Sequence, residues 1–317
     1  MSPEISGQAK AARGPQPARG RSLAHAAANR RGILYMATGM ACLVLNDTVM
    51  KYMGQSLGVA QLISVRGIMA VIMVLAVARA IGATSRLPTL MNRKVIVRSA
   101  LDALATLLYL ASLMHLPIGN ATAINLASPL MLSLLAVLVL GEQPGLRRWL
   151  AIGAGFAGVV LVVQPRLDGF NAWALVCLAG TAGGSVRDLL TRRISSAVPA
   201  ILLTLASVSF VTVLATGFTF IQGWRPIDLS GIGLLAIAAA LLAAGYYLIV
   251  NSLRHGEMSI VAPFRYSGLL VALVTGFIVW GDVPSALAWA GIALVLAAGI
   301  YLLHDERRRR AADPPLA

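Results

Sequence analysis

GILYMATGMACLVLNDTVMKYM, residues 32–53, is the stretch that decides the fold class. It is a long apolar run interrupted only by Asp47 and Lys51. About 20 residues at about 1.5 Å rise cover a hydrocarbon core about 30 Å thick, so this run has the length of a membrane-crossing helix. It is too long for the apolar region of a secretory signal and lacks a small-residue cleavage site, although Arg30-Arg31 precedes it. It reads as an uncleaved first span.

Moving outward, runs of the same kind recur at 58–81, 95–114, 119–140, 149–163, 172–190, 198–221, 232–253, 259–280 and 286–303. The run at 149–163 is short and is expected to extend back towards Leu146. Turn-forming Gly54-Gln55-Ser56, Pro117, Gln143-Pro144-Gly145, Gln164-Pro165 and Gly281-Asp282-Val283-Pro284 separate them. The expected fold is an all-α membrane protein of ten transmembrane helices. Composition agrees: of 317 residues 58% are apolar and 12% charged, with a mean hydropathy of +0.80. Soluble domains run to about half apolar and about a quarter charged, so lipid must cover much of this surface.

The net charge of +14 does not point to nucleic acid, because the basic residues sit between apolar runs and in the two tails. With the N-terminus inside, twenty of the 26 Lys and Arg fall in inner segments. Lys51, Arg166 and Arg225 fall at or beyond the outer ends of spans, and Arg66, Arg187 and Arg265 deeper within them, the inner count including Arg79 and Arg98 at inner span ends. The positive-inside rule therefore places both termini in the cytoplasm of a cell whose inner membrane holds the protein. Residues 1–31 read as a disordered basic tail and 305–317 as a second basic tail. Cys42 and Cys177 lie in apolar runs and read as small hydrophobes, and the four scattered histidines suggest no metal. No metal site or cofactor is expected.

The halves 32–164 and 165–304 resemble each other at an offset near 140. Asp47 with Lys51 recurs as Asp188 with Arg192, Gly141-Glu142 as Gly281-Asp282, and Trp149 with Ile152 as Trp289 with Ile292. Five spans per half would invert the second repeat, an arrangement characteristic of secondary carriers.

Several motifs carry a family resemblance. They are NDTVMK (Asn46 to Lys51), Arg66-Gly67, LASPLMLSLLAVLVLGE (Leu126 to Glu142) and PFRYSGLLVALVTGFIVWGD (Pro263 to Asp282). In this order they resemble the drug/metabolite transporter superfamily, EamA type, over about residues 32–304. Asp282 stands where that family usually has Glu, and Ser267-Gly268 where a proline is common. The resemblance implies ten helices around a central cavity and transport of a small organic solute without ATP. Amino acids, or vitamins and cofactors such as riboflavin or S-adenosylmethionine, are among the solutes it suggests. A membrane-embedded enzyme or scaffold is the alternative, but no Walker A, G-x-S-x-G or H-E-x-x-H motif is present. The expected partners are a small-molecule substrate and the bilayer, with a homodimer also open to such a fold.

Charges inside spans cost roughly 2.5–3.5 kcal/mol each on insertion scales, so they mark candidates for function. Asp47 and Arg66 lie at similar depth on adjacent antiparallel helices, where the two can meet. Asp102 has Arg98 one turn earlier on its own face, and Arg187-Asp188 lies nearer the cytoplasmic end. Arg265, about seven residues into the ninth run, has no acidic neighbour one turn away and is expected to face the cavity. Asn125, Tyr247, Asn251 and Tyr266 complete the candidate set, and Pro129 is expected to kink the fourth helix.

Overall fold

The computed structural model describes residues 18–140, 145–164, 171–191, 194, 198–255 and 258–312. The described residues are helical almost throughout and contain no strand. In chain order the helices are α1 (Ala18–Met53), α2 (Val59–Ala80), α3 (Arg93–Leu113), α4 (Ile118–Asn125), α5 (Ser128–Leu140) and α6 (Leu146–Val163). They continue as α7 (Ala172–Thr191), α8 (Ala200–Gln222), α9 (Leu229–His255), α10 (Met258–Val261), α11 (Ser267–Trp280) and α12 (Ala286–Ala312). Among the described residues eight helical segments are long and apolar enough to cross a membrane. Large apolar side chains such as Ile72, Leu104, Val213, Phe277 and Ile278 stand at least half exposed. That is the reverse of a water-soluble globule and fits a multi-pass membrane protein.

Three expectations change. The helix through Asp47 begins at Ala18, inside the stretch read as a disordered tail, because alanines at 24, 26, 27 and 28 favour helix strongly. The last helix likewise runs on to Ala312 through residues read as tail. The ninth run is not continuous: a 3₁₀ turn over Ala262–Tyr266, with Pro263 near its start, separates α10 from α11. The expected kink near Pro129 is a full break, at Leu126-Ala127, since Pro129 has no N–H to return to the Asn125 carbonyl. A 3₁₀ segment over Ala83–Met91, unforeseen from sequence, packs against α8 between α2 and α3.

The turns gather at two ends. At the end where α1 finishes, Arg225 Nη1 donates to the Ser56 carbonyl (3.1 Å) and Asn171 to the His115 carbonyl (3.3 Å). The His115 and Trp173 rings stack there at 3.8 Å. Lys51 does not reach out to headgroups: it donates to the Leu116 carbonyl and sits over the Trp280 ring at 4.8 Å. This is the Met53 end; α3 begins at the opposite, Arg93 end.

Packing follows an exchange pattern. Helix α1 lies along α9 as α7 lies along α3, and α2 touches α9 as α8 touches α3. The α4/α5 segment meets α7 as α11 meets α1, while α2 pairs with α8, α4 with α11 and α6 with α12. Glycines permit the closest approaches: a Cβ on Gly291 would stand 2.5 Å from the Gly158 carbonyl oxygen, and one on Gly39 3.1 Å from the Gly245 oxygen. Around α1–α4, α7–α9 and α11 runs the main apolar core, including Met50, Leu62, Leu113, Ile118 and Leu235, each fully buried.

Candidate functional site

Two polar layers interrupt this core. The first joins α1, α2 and α3. Arg66, buried on α2, donates to the Asn46 side-chain oxygen at 3.1 Å, and Asn46 donates to Asp47 at 2.9 Å. Tyr109 of α3 donates to the other Asp47 oxygen at 3.1 Å. The anticipated direct Asp47–Arg66 contact is thus replaced by a relay through Asn46. The two charges still act on each other across this relay. Arg66 Nε is buried without a hydrogen-bond partner. An Arg donor left without a bond in this medium costs about 1–3 kcal/mol, so the first layer has spare donor capacity.

The second layer joins α3, α7 and α8 nearer the Arg93 end. Asp102, almost fully buried, takes Arg98 at 3.5 Å and, more closely, Arg187 of α7. Arg187 also holds Asp188 at 2.9 Å. Arg98 reaches Thr191 (3.2 Å), the Leu203 carbonyl (3.3 Å) and Ser207. The expected Arg98–Asp102 pair is present, and Arg187, which the sequence placed only beside Asp188 near the cytoplasmic end, joins it across the helix interface.

Between the layers stands Tyr246 of α9. Its ring feels the charges of Asp102, Arg187, Arg98 and Arg66. Yet 36% of the residue remains accessible. The sequence candidate was its neighbour Tyr247, which points away: it is 56% exposed, and its carbonyl accepts the Asn251 amide at 2.8 Å. Position 246 lies seven residues after Ala239, which is fully buried, whereas 247 lies seven after exposed Ala240. Heptad spacing from the buried face was the signal that distinguishes them.

The remaining candidates separate. Asn125 and Arg265, 140 positions apart, both stand accessible on the two helix breaks. Tyr266 is buried against α12, its hydroxyl seated over Gly299 where any Cβ would collide with it. It packs the bundle and does not line the space beside Tyr246. Asn46 and Tyr109 were absent from the sequence-derived set, and Tyr246 and Arg187 were ranked below their neighbours Tyr247 and Asp188. Glu142, Arg192 and the motif end Gly141-Glu142 lie outside the described residues. A surface pocket of about 310 Å³ at the Met53 end, edged by Asn120, Gln164, Asp282 and Ser285, contains none of the layered charges. Among the described residues no cluster of three metal-ligating side chains occurs.

Helices of this apolarity, with ion pairs buried between them, define a multi-pass membrane protein. Residues 30–164 match the EamA-like transporter family, so the chain carries an EamA-like transporter domain over that stretch, and its relatives support transport of a small metabolite. The chain is 28% identical over 214 residues to the riboflavin transporter of Rhizobium johnstonii, covering 68% of this chain and 71% of that protein. It is 23% identical over 295 residues to the riboflavin transporter of Vibrio cholerae, covering 90% and 97%. It is 26% identical over 219 residues to the pseudopaline exporter CntI of Pseudomonas aeruginosa, covering 67% and 75%.

Proposed function

We propose that this protein is a ten-span secondary carrier of the bacterial inner membrane, with both termini cytoplasmic and the Arg93 end facing the cytoplasm. In this reading α4 with α5, and α10 with α11, each make one broken span, and the second five spans repeat the first upside down. The exchange pattern of helix packing supports the repeat, as do the two breaks at corresponding positions. Half-helices at such breaks are the usual place for a carrier to hold its solute.

The solute binds between the two layers, against Tyr246, and carries no net charge: it is neutral or zwitterionic. Three guanidinium groups (Arg66, Arg98, Arg187) face three carboxylates (Asp47, Asp102, Asp188), so the two layers are balanced when empty. A net-charged solute would leave one charge uncompensated in a weakly polar medium, at a cost of several kcal/mol. The supporting observation is Tyr246, partly accessible and within electrostatic reach of Arg66, Arg98, Asp102 and Arg187. Arg265 and Asn125, on the paired breaks, edge the path to it. Rocking of the repeats about the α2–α8 and α6–α12 contacts would open the site alternately to each side.

Riboflavin, a neutral solute, is the first to test, given the two relatives named for it. Uptake into cells unable to make it, with and without the chain, should show transport that Tyr246→Ala removes while membrane abundance stays normal. If no neutral or zwitterionic solute moves and a net anion or cation does, the charge-balance reading is wrong.

A further inference from the structure

Helices α6 and α12 cross closely at Gly158 and Gly291, but nearer the Arg93 end they leave a groove of about 410 Å³ between them. Its α6 wall is Arg147, Leu150, Ala151 and Ala154; Leu294, Ala297, Ala298 and Tyr301 of α12 form the other. Each set follows the i, i+3, i+4, i+7 spacing of a single helix face, so two matched stripes meet along a line roughly 10 Å long. Four alanines leave the floor empty, while Leu150 and Leu294 supply apolar sides. Arg147 and Tyr301, both exposed, stand at the end of the groove nearest the start of α6. No described residue hydrogen-bonds to the Arg147 guanidinium. The groove therefore has an apolar trough and a cationic, hydrogen-bonding rim at headgroup level.

We propose that this groove is a binding site for an anionic phospholipid of the cytoplasmic leaflet, an acyl chain lying in the trough and the phosphate held by Arg147 with the Tyr301 hydroxyl beside it. The leaflet rests on the cytoplasmic placement of the Arg93 end; the site itself does not. Charge complementarity selects the occupant. A zwitterionic lipid would set a second cation near Arg147, and an apolar partner helix would leave the guanidinium without an anion. Basic pockets between helices on the cytoplasmic side commonly take anionic headgroups.

The test is native mass spectrometry of the full-length protein in detergent, titrated with phosphatidylglycerol or phosphatidylcholine. Phosphatidylglycerol should be retained at least fivefold better. Arg147→Gln should bring the two lipids level, Ala154→Leu should fill the trough and reduce retention of both, and Arg93→Gln, a distant exposed arginine, should change neither. Equal retention by the native protein, or a preference that survives both groove variants, would overturn the proposal. So would a protein dimer lost in both variants, which would assign the groove to a second copy. Detergent binding does not depend on membrane orientation, so reporter fusions that reversed the topology would move the leaflet and leave this result standing.

Discussion

Asp102→Asn removes the one carboxylate that Arg98 and Arg187 share across the α3–α7 interface. At an effective dielectric near 20, a unit pair about 4 Å apart is worth about 4 kcal/mol. The net loss is smaller than two such pairs, because Arg98 keeps Thr191, the Leu203 carbonyl and Ser207, and Arg187 keeps Asp188. Breaking a buried pair from one side costs about 3–5 kcal/mol, and the retained partners place this variant at the lower end, about 3 kcal/mol. Asp188 is the internal control. Its side chain is 37% exposed, so Asp188→Asn should cost at most about 1 kcal/mol. Melting of the purified protein, at roughly 2–4 °C per kcal/mol, should show a fall of about 6–12 °C for Asp102→Asn and about 2–4 °C or less for Asp188→Asn. Adding Arg187→Gln to Asp102→Asn should recover part of the loss, giving a coupling of at least about 1.5 kcal/mol in a double-mutant cycle. An Asp102→Asn protein melting within a degree of the parent, or an equal fall for Asp188→Asn, would refute the layered-charge reasoning.

Gly291→Ala puts a Cβ 2.5 Å from the Gly158 carbonyl oxygen and should destabilise by about 1–3 kcal/mol, whereas Gly217→Ala, with nothing within 4 Å, should stabilise α8 by up to about 1 kcal/mol. Melting of the two variants side by side checks both signs. Tyr246→Phe, losing one hydrogen-bonding hydroxyl worth about 0.5–1.5 kcal/mol, should lower transport roughly two- to tenfold, while Tyr247→Phe leaves it unchanged. Uptake normalised to membrane protein separates them. Asp228 caps α9, accepting from Ser230 and from the Gly231 N–H at 3.0 Å, and these donors hold its carboxyl below the ordinary value of 3.8. Its stabilisation is complete above that value and disappears as pH falls through the lowered one. The melting gap between the parent and Asp228→Ala should therefore be constant at neutral pH and close only in strong acid.

Hydropathy made the helices legible, because a span must be apolar over a length set by the bilayer. The run at 149–163 was even expected to start at Leu146, where α6 begins. Where the backbone leaves the helix inside a span was harder to read. Pro129 announced one break, but the turn at Ala262–Tyr266 sits among residues with ordinary helix preference, apart from Pro263. The site was half legible for a related reason. Charges inside spans announce themselves, so Asp47, Arg66, Arg98 and Asp102 were found. Their uncharged bridges were not: Asn46 sits between two charges only because α1 and α2 pack at one particular rotation. Arg187 looked local beside Asp188 in sequence, and only the α3–α7 packing delivers it to Asp102. Tyr109 was within reach, since it lies seven residues after Asp102 on the same face of α3.

The central claim is that a solute without net charge passes through the space beside Tyr246. Its most direct measurement is flux of radiolabelled riboflavin into liposomes holding the purified protein, with recovered solute identified by mass. The account predicts saturable, protein-dependent entry of unchanged riboflavin or of another neutral or zwitterionic solute that competes with it, abolished by Tyr246→Ala. Flux untouched by that substitution, or passage confined to solutes of net charge, would contradict it.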